Sequence, residues 1–541
     1  MNVLLQHLPA LPIVVPLLSG AAMLLVRERR RRVHATIGIA SLALQLSVAL
    51  TLLALTTDAV PDIWTNGIGV YRIGGWDAPF GIVLVVDRLA GMMLTLSAMV
   101  GLAAVVYAVA HWDRPAQPFH ALLQFLTLGV NGAFLTGDLF NLFVFFEILL
   151  VASYGLVLRG LGAQRVKTGL NYIAVNLASS SLFLVGVALI YGIAGTLNMA
   201  DLTLKVAELE PADRAILEAG AAILGVAFLV KAGSWPLNFW LPRTYSISIP
   251  PVAAAFAIMS KVGIYAVLRV GTLVGENAAA SAILGSILFW VGLATLAAGI
   301  VGMLSARRLP RFVAYSVVVS SGLLLSALGL GLEEVTAPAL FYLGTSVLTT
   351  GTFFMLTGMT ERTRERADTD GDTEPVPQPF FVAYGVAVPD PYGVDEEVGT
   401  AIPLAMAFLG LVFVFCVMLV AGLPPLPGFI AKFALLATVI HSTEAASTPG
   451  WLFISAVLVS GFATVIATSR IGIRLFWSRA ARRVPRLRVL EATPVALLML
   501  TLFAATVAAP AVMHFLQGAA ASLHDPGAYV RTVLAARGDA P

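Results

Sequence analysis

Four ionisable side chains lie inside long apolar runs: Glu147, Lys231, Lys261 and Lys432. A charge at the centre of a bilayer costs at least about 2.5–3.5 kcal/mol on the most lenient scale, and groups kept there as a rule serve a proton or ion pathway. One acid and three amines on separate segments suit a relay for protons or cations. Glu147 lies in DLFNLFVFFEILL, about halfway along its helix, and Lys231 is its natural partner. At about 4 Å and an effective dielectric near 20, the two would attract by about 4 kcal/mol. Opening the pair leaves an ammonium in a low-dielectric setting, where it gives up its proton. Such a bistable pair is a gate. Lys261 lies mid-segment in AIMSKVGIY, and Lys432 in GFIAKF. Between these two lysines Tyr342, Thr345, Ser346, Thr349 and Thr350 supply hydroxyls that, with trapped water, can pass protons by exchanging hydrogen bonds. The simpler alternatives are a neutral, hydrogen-bonded acid at Glu147, snorkelling for the lysines, and interhelical glue for the hydroxyls.

These groups need long apolar helices to hold them. Of 541 residues 59% are hydrophobic and 12% charged. A soluble fold of this size does not hide that much apolar surface. The pattern gives an all-α polytopic membrane protein. About fourteen transmembrane helices are expected, near 9–26, 33–56, 81–110, 118–137, 139–158, 168–194, 213–242, 248–272, 279–304, 311–331, 335–359, 401–441, 450–477 and 489–516. The seventh contains Gly233-Ser234-Trp235-Pro236 and the twelfth Gly422-Leu423-Pro424-Pro425-Leu426-Pro427-Gly428. Proline removes a backbone donor and clashes with the preceding turn, so both helices are expected to break there. Each break has a lysine beside it, Lys231 before the first and Lys432 after the second. Paired broken helices suggest two inverted five-helix repeats, at 118–272 (helices 4–8) and 279–477 (helices 9–13). Helices 1–3 (1–117) precede them, and the last helix with an external tail (489–541) follows.

Basic residues set the orientation. With the N-terminus outside, roughly 22 of the 33 Lys and Arg fall on the cytoplasmic side and roughly five outside. An even helix count then returns the C-terminus to the outside. The net charge of +3 reflects this topology and not nucleic-acid binding. The N-terminal order, apolar run first and the basic cluster 27–32 after it, describes a retained helix and no cleaved signal. The acidic and Pro-rich stretch 360–400 reads as a solvated cytoplasmic connector, with partner docking as the sharper alternative. Asp87 and Arg88 read as a local interfacial pair, Asp138 as a helix-start acid, and Arg269 and Arg470 as structural or snorkelling. Cys416 reads as packing, and the histidines show no metal-ligand spacing. No cofactor is indicated.

Several segments carry a resemblance. FHALLQFLTLGVNGAFLTGDLFNLFVFFEILLVASYGLVLRG, NYIAVNLASSSLFLVGVALIYGIAGTLNMADL, FLVKAGSWPLNFWLP, SKVGIYAVLR and GLPPLPGFIAKFALL together resemble the D subunit of Mrp-type multisubunit cation/proton antiporters, over essentially the whole chain. That family is in turn similar to antiporter-like subunits of respiratory complex I and of membrane-bound hydrogenases. The resemblance implies an essential ion pair at Glu147 and Lys231, and relay lysines at Lys261 and Lys432. Complex I relatives can carry a glutamate at the last position. Family members often place a histidine on the eleventh helix, sometimes with a lysine five residues on. Here the matching positions are Thr345 and Thr350, so the central link would rest on hydroxyls and water.

The resemblance also implies a hetero-oligomer with the other Mrp subunits in a bacterial cytoplasmic membrane. The chain would move protons against Na⁺ or K⁺, driven by an ion gradient, as part of a transporter and not an enzyme. The alternative is a proton-pumping membrane subunit of a complex I-like NADH–quinone oxidoreductase or a membrane-bound hydrogenase. A scaffold whose buried charges only orient helices is a third reading.

Overall fold

The computed structural model describes residues 6–27, 29–57, 63–113, 118–159, 162–274, 278–370, 404–442, 447–476 and 487–535. Among these, thirteen helical segments are long and apolar enough to cross a membrane, and the 17-residue Phe119–Leu135 adds a shorter fourteenth. The chain is an all-α polytopic membrane protein, as its composition requires.

In chain order the helices are α1 (Leu11–Leu25), α2 (Arg31–Leu55), α3 (Arg88–His111), α4 (Phe119–Leu135), α5 (Leu139–Val157), α6 (Ala163–Ala194), α7 (Met199–Glu208), α8 (Pro211–Ala232), α9 (Trp240–Ile247), α10 (Pro250–Val274), α11 (Ala278–Ser305) and α12 (Leu309–Gly329). Then come α13 (Glu333–Asp370), α14 (Leu404–Ala421), α15 (Pro427–His441), α16 (Thr448–Phe476), α17 (Val489–Val507), α18 (Ala509–His524) and α19 (Pro526–Leu534).

Burial sorts them into a centre and a rim. The spans of α10, α12 and α13 are 94%, 83% and 89% buried, whereas those of α1 and α17 are 28% buried. Polar side chains on the three central helices are therefore shielded from lipid, and exposed Leu, Val, Ile and Phe on the rim form the apolar belt.

Both expected breaks are present, and each turns on a glycine. Gly233 closes α8 at φ +72° and Gly422 follows α14 at φ +78°, a left-handed conformation that only glycine adopts without cost. Pro427 does not break a helix. It occupies the first turn of α15, where its missing N–H would be unpaired anyway.

Three expectations need correction. The third helix does not begin at 81. Val83–Val86 is a buried strand (β2) that pairs antiparallel with Gly69–Arg72 (β1), because the β-branched run VLVV packs better extended. The helix starts instead where the Asp87 carboxylate caps it by accepting from Ala90 N at 2.8 Å. Asp87 takes its cation from Arg269 of α10, at 2.6 and 2.7 Å, with both side chains buried. Arg269 therefore does not snorkel. The C-terminal stretch is not a tail: past Pro510 the chain forms α18 and α19, whose Tyr529 ring lies 5.5 Å from the Arg269 guanidinium. Asp138 caps α5 by accepting from Asn141 N at 2.8 Å, and Arg470 donates to Leu304 O at 2.6 Å. The connector expected at 360–400 opens as helix to Asp370, and residues 371–403 lie outside the described residues. Much of the basic run 474–488 does too, at 477–486.

The basic helix ends cluster on one side of the bundle. Arg31 pairs with Asp113, Arg362 with the fully buried Glu491, and Arg488 donates to Ala110 O at 2.6 Å.

Candidate functional site

Glu147 is half-buried on α5 and accepts a hydrogen bond from Ser180 of α6. Lys231, buried in the last turn of α8, donates to Asn176 Oδ1 of α6 at 3.3 Å. The acid and the amine do not touch in this conformation. Two residues one turn apart on α6, Asn176 and Ser180, hold the amine and the acid respectively. Asn176 is oriented for this: its amide nitrogen donates to Tyr172 O at 2.9 Å, which leaves its oxygen free to accept.

These α6 residues belong to a stripe. Thr168, Tyr172, Asn176 and Ser180 recur every four residues on its buried face. Tyr172 shares a hydrogen bond of 2.7 Å with Ser153 of α5. At the basic end of the bundle the stripe meets an open cavity of about 370 Å³, lined by Thr168, Lys167, Asn171, Arg243, Ser246 and Arg311 among others. A stripe of polar side chains thus runs from this cavity to the residues that bond Lys231 and Glu147.

Lys261 is 2% exposed on α10 and donates to Ser320 Oγ of α12 at 2.8 Å. Its neighbours Met259 and Val262 line a small, mostly apolar cavity together with Lys231 and Asn176. Beyond Ser320 lies a third cavity, of about 20 Å³, enough for one water molecule. Ser316 and Ser320 of α12 line it with Tyr342, Thr345, Ser346, Thr349 and Thr350 of α13, and Leu419, Val420 and Gly428 close it. Tyr342 and Ser320 come together as lining residues of this cavity. The Lys432 ammonium donates to O of Val420, one of these lining residues, at 2.8 Å and to Ala421 O at 3.2 Å, carbonyls freed by the end of α14.

The two breaks dispose of their freed carbonyls differently. At the first, Ser234 satisfies Leu229 O at 2.9 Å and the Trp240 indole satisfies Val230 O at 3.3 Å. Trp235 N, just before Pro236, donates to Thr295 Oγ1 at 2.8 Å. At the second break, which Pro424 and Pro425 enforce, the lysine takes that role itself.

Residues 136–373 match the family described as NADH:quinone oxidoreductase/Mrp antiporter, TM. The whole chain aligns with the D subunit of a probable K⁺/H⁺ antiporter of Rhizobium meliloti (strain 1021), 49% identical over 98% of both chains. The chain belongs to the family of Mrp-type antiporter D subunits. The D subunit of a Na⁺/H⁺ antiporter of Alkalihalophilus pseudofirmus is 33% identical over 98% of this chain and all of that one. A chain of the Mrp complex from Dietzia sp. DQ12-45-1b superposes with a TM-score of 0.79 and 25% identity, over 98% of this chain and 99% of that one. This Mrp-family chain is thus a multi-pass component of a membrane transporter, and it aligns with these three relatives along nearly their full length.

Four polar residues that the sequence reading passed over stand between the expected ones: Asn176, Ser180, Ser316 and Ser320. A weak signal existed. The serines of α12 are four apart in YSVVVSS, and the polar residues of α6 follow the same step. Periodic small polar residues in a hydrophobic helix also serve packing, so spacing alone did not tell which faced a lysine.

Proposed function

We propose that this chain is the proton-translocating subunit of a multisubunit Na⁺ or K⁺/H⁺ antiporter in a bacterial cytoplasmic membrane. Protons reach Glu147 and Lys231 from the 370 Å³ mouth along the α6 stripe. They pass to Lys261, cross α12 and α13 through Ser320 and the hydroxyl-lined cavity, and end at Lys432. The observation that carries this reading is that Lys261 bonds to Ser320, that Ser320 and Val420 line one cavity, and that the Val420 carbonyl holds Lys432. In this scheme Asn176 and Ser180 insulate the gate, and a shift of α6 that lets Lys231 meet Glu147 closes it. The two broken helices and their lysines belong to inverted repeats over 118–272 and 279–477.

A lateral partner follows from the surroundings of Glu147. It shares one face of α5 with Phe140, Val144 and Val151, which are 50%, 36% and 64% exposed. A carboxylate facing hydrocarbon is costly, so a neighbouring subunit covers this stripe in the assembled complex. The basic helix ends, with the 370 Å³ mouth among them, face the cytoplasm under the positive-inside rule, and both termini lie outside. The same residues would serve a redox-driven pump, the alternative that the joint family description leaves. Antiport in vesicles energised by a pH gradient alone separates the two.

The test is substitution of the gate. Glu147→Gln and Lys231→Ala should each abolish cation/proton antiport in everted membrane vesicles while the complex still assembles. Full antiport in either assembled variant refutes the relay.

A further inference from the structure

The second break has the chemistry of a cation site, and a side chain occupies it. Val420 O and Ala421 O stand at the C-terminal end of α14, where the helix dipole is negative and carbonyls lack intrahelical partners. Lys432 reaches them with an ammonium, a monovalent cation on a flexible tether. Gly422 makes room for that tether, since a Cβ there would meet Lys432 Cδ at 2.7 Å.

The adjoining cavity is lined by oxygens with lone pairs to offer. Thr345, Ser346, Thr349 and Thr350 each donate their hydroxyl proton to a carbonyl of their own helix, at 2.7–3.1 Å. Each hydroxyl oxygen therefore has only acceptor capacity left to offer. Val420 belongs to both the cavity wall and the lysine's pair of carbonyls. Among the described residues lining the cavity there is no carboxylate. Two ammonium groups bond to its lining residues, Lys432 to Val420 and Lys261 to Ser320.

We propose that the break between α14 and α15 binds one dehydrated alkali-metal cation, and that the Lys432 ammonium holds its place when the cation is absent. Ligands come from Val420 O and Ala421 O with the hydroxyls of Thr345 and Thr349. The space suits one ion about the size of a water molecule. Two positive charges do not fit side by side in a low-dielectric pocket, so the cation enters as Lys432 gives up a proton: Lys–NH₃⁺ plus M⁺ becomes Lys–NH₂·M⁺ plus H⁺. One charge is exchanged for another, which is antiport chemistry at a single site. At the first break no lysine takes this place: Ser234 and Trp240 satisfy Leu229 O and Val230 O, and Lys231 turns to Asn176. The inference rests on the proton-relay reading only for its role in transport; the binding site stands apart from it.

The experiment uses the purified, assembled complex in weakly buffered, choline-based solution, with proton release followed on addition of KCl or NaCl. The wild type should release protons saturably on one or both salts and not on choline chloride. Lys432→Met should lose the release that arises at this break. Thr349→Val, which removes an oxygen but keeps the shape, should raise the half-saturating cation concentration about tenfold with the saturating amplitude kept. Thr345→Val gives the same readout should Thr349→Val fail to assemble. Release from Lys432→Met equal to wild type, or an unchanged half-saturation in the threonine variants, overturns the site and leaves a water position only. Glu147→Gln should keep cation-triggered release while losing antiport. Release that persists beside full antiport in Glu147→Gln would sink the relay but not the site.

Discussion

Removal of one hydroxyl at Ser320 tests the central link of the relay. Ser320 Oγ, on α12, is the hydrogen-bond partner of Lys261 Nζ at 2.8 Å, and both side chains are buried. A hydrogen bond to a charged group contributes about 1.5–3 kcal/mol, and its loss leaves the ammonium without compensation. If proton passage beyond Lys261 limits the rate, that range corresponds to a fall of about 10- to 150-fold. Tyr342 lines the same cavity as Ser320 and can take over part of the role, so Ser320→Ala should fall near tenfold and the pair Ser320→Ala with Tyr342→Phe near the upper limit. Ser320→Thr keeps the oxygen and should keep most of the rate. The assay is the pH-gradient collapse on cation addition in everted vesicles, normalised to the amount of assembled complex. A Ser320→Ala complex that assembles and antiports at the wild-type rate would refute the route through α12. Equal losses in Ser320→Ala and Ser320→Thr would show a packing role instead.

Two further substitutions follow from the geometry. Gly422→Ala forces an L-residue to φ +78°, at a cost of about 1–2 kcal/mol, and drives its Cβ against Lys432; antiport should drop at least about tenfold in complexes that still assemble, and an unchanged rate would show that the Lys432 position does not matter. Arg269→Ala strands the buried Asp87 carboxylate, a loss of about 3–5 kcal/mol; thermal unfolding of the purified complex should report it, and Arg269→Met with Asp87→Leu should recover most of the stability.

Much of the membrane architecture was legible in the residues. Hydropathy alone gave the spans, since a helix that crosses hydrocarbon must be apolar for about twenty residues wherever it sits. Gly-x-x-Pro and the proline run marked both breaks for the same reason: backbone chemistry is local, and proline interrupts a helix in any surroundings. The expense of a buried charge likewise picked out Glu147, Lys231, Lys261 and Lys432 without any knowledge of neighbours. The hairpin of β1 and β2 escaped, because a four-residue apolar run beside a long helix has the same hydropathy as one more turn of that helix.

Tertiary structure decided who meets whom. No sequence rule says that Asp87 reaches past Arg88 to Arg269, that Asn176 and Ser180 hold Lys231 and Glu147, or that Lys261 turns to Ser320 of α12 before any hydroxyl of α13. Those contacts join residues tens to nearly two hundred positions apart, and helix rotation and packing set them. The sequence specified which groups are too costly to bury without a use. The fold alone specified that Lys432 spends its ammonium on the open carbonyls of α14, because only a packed break brings a lysine in one half-helix to the end of the other.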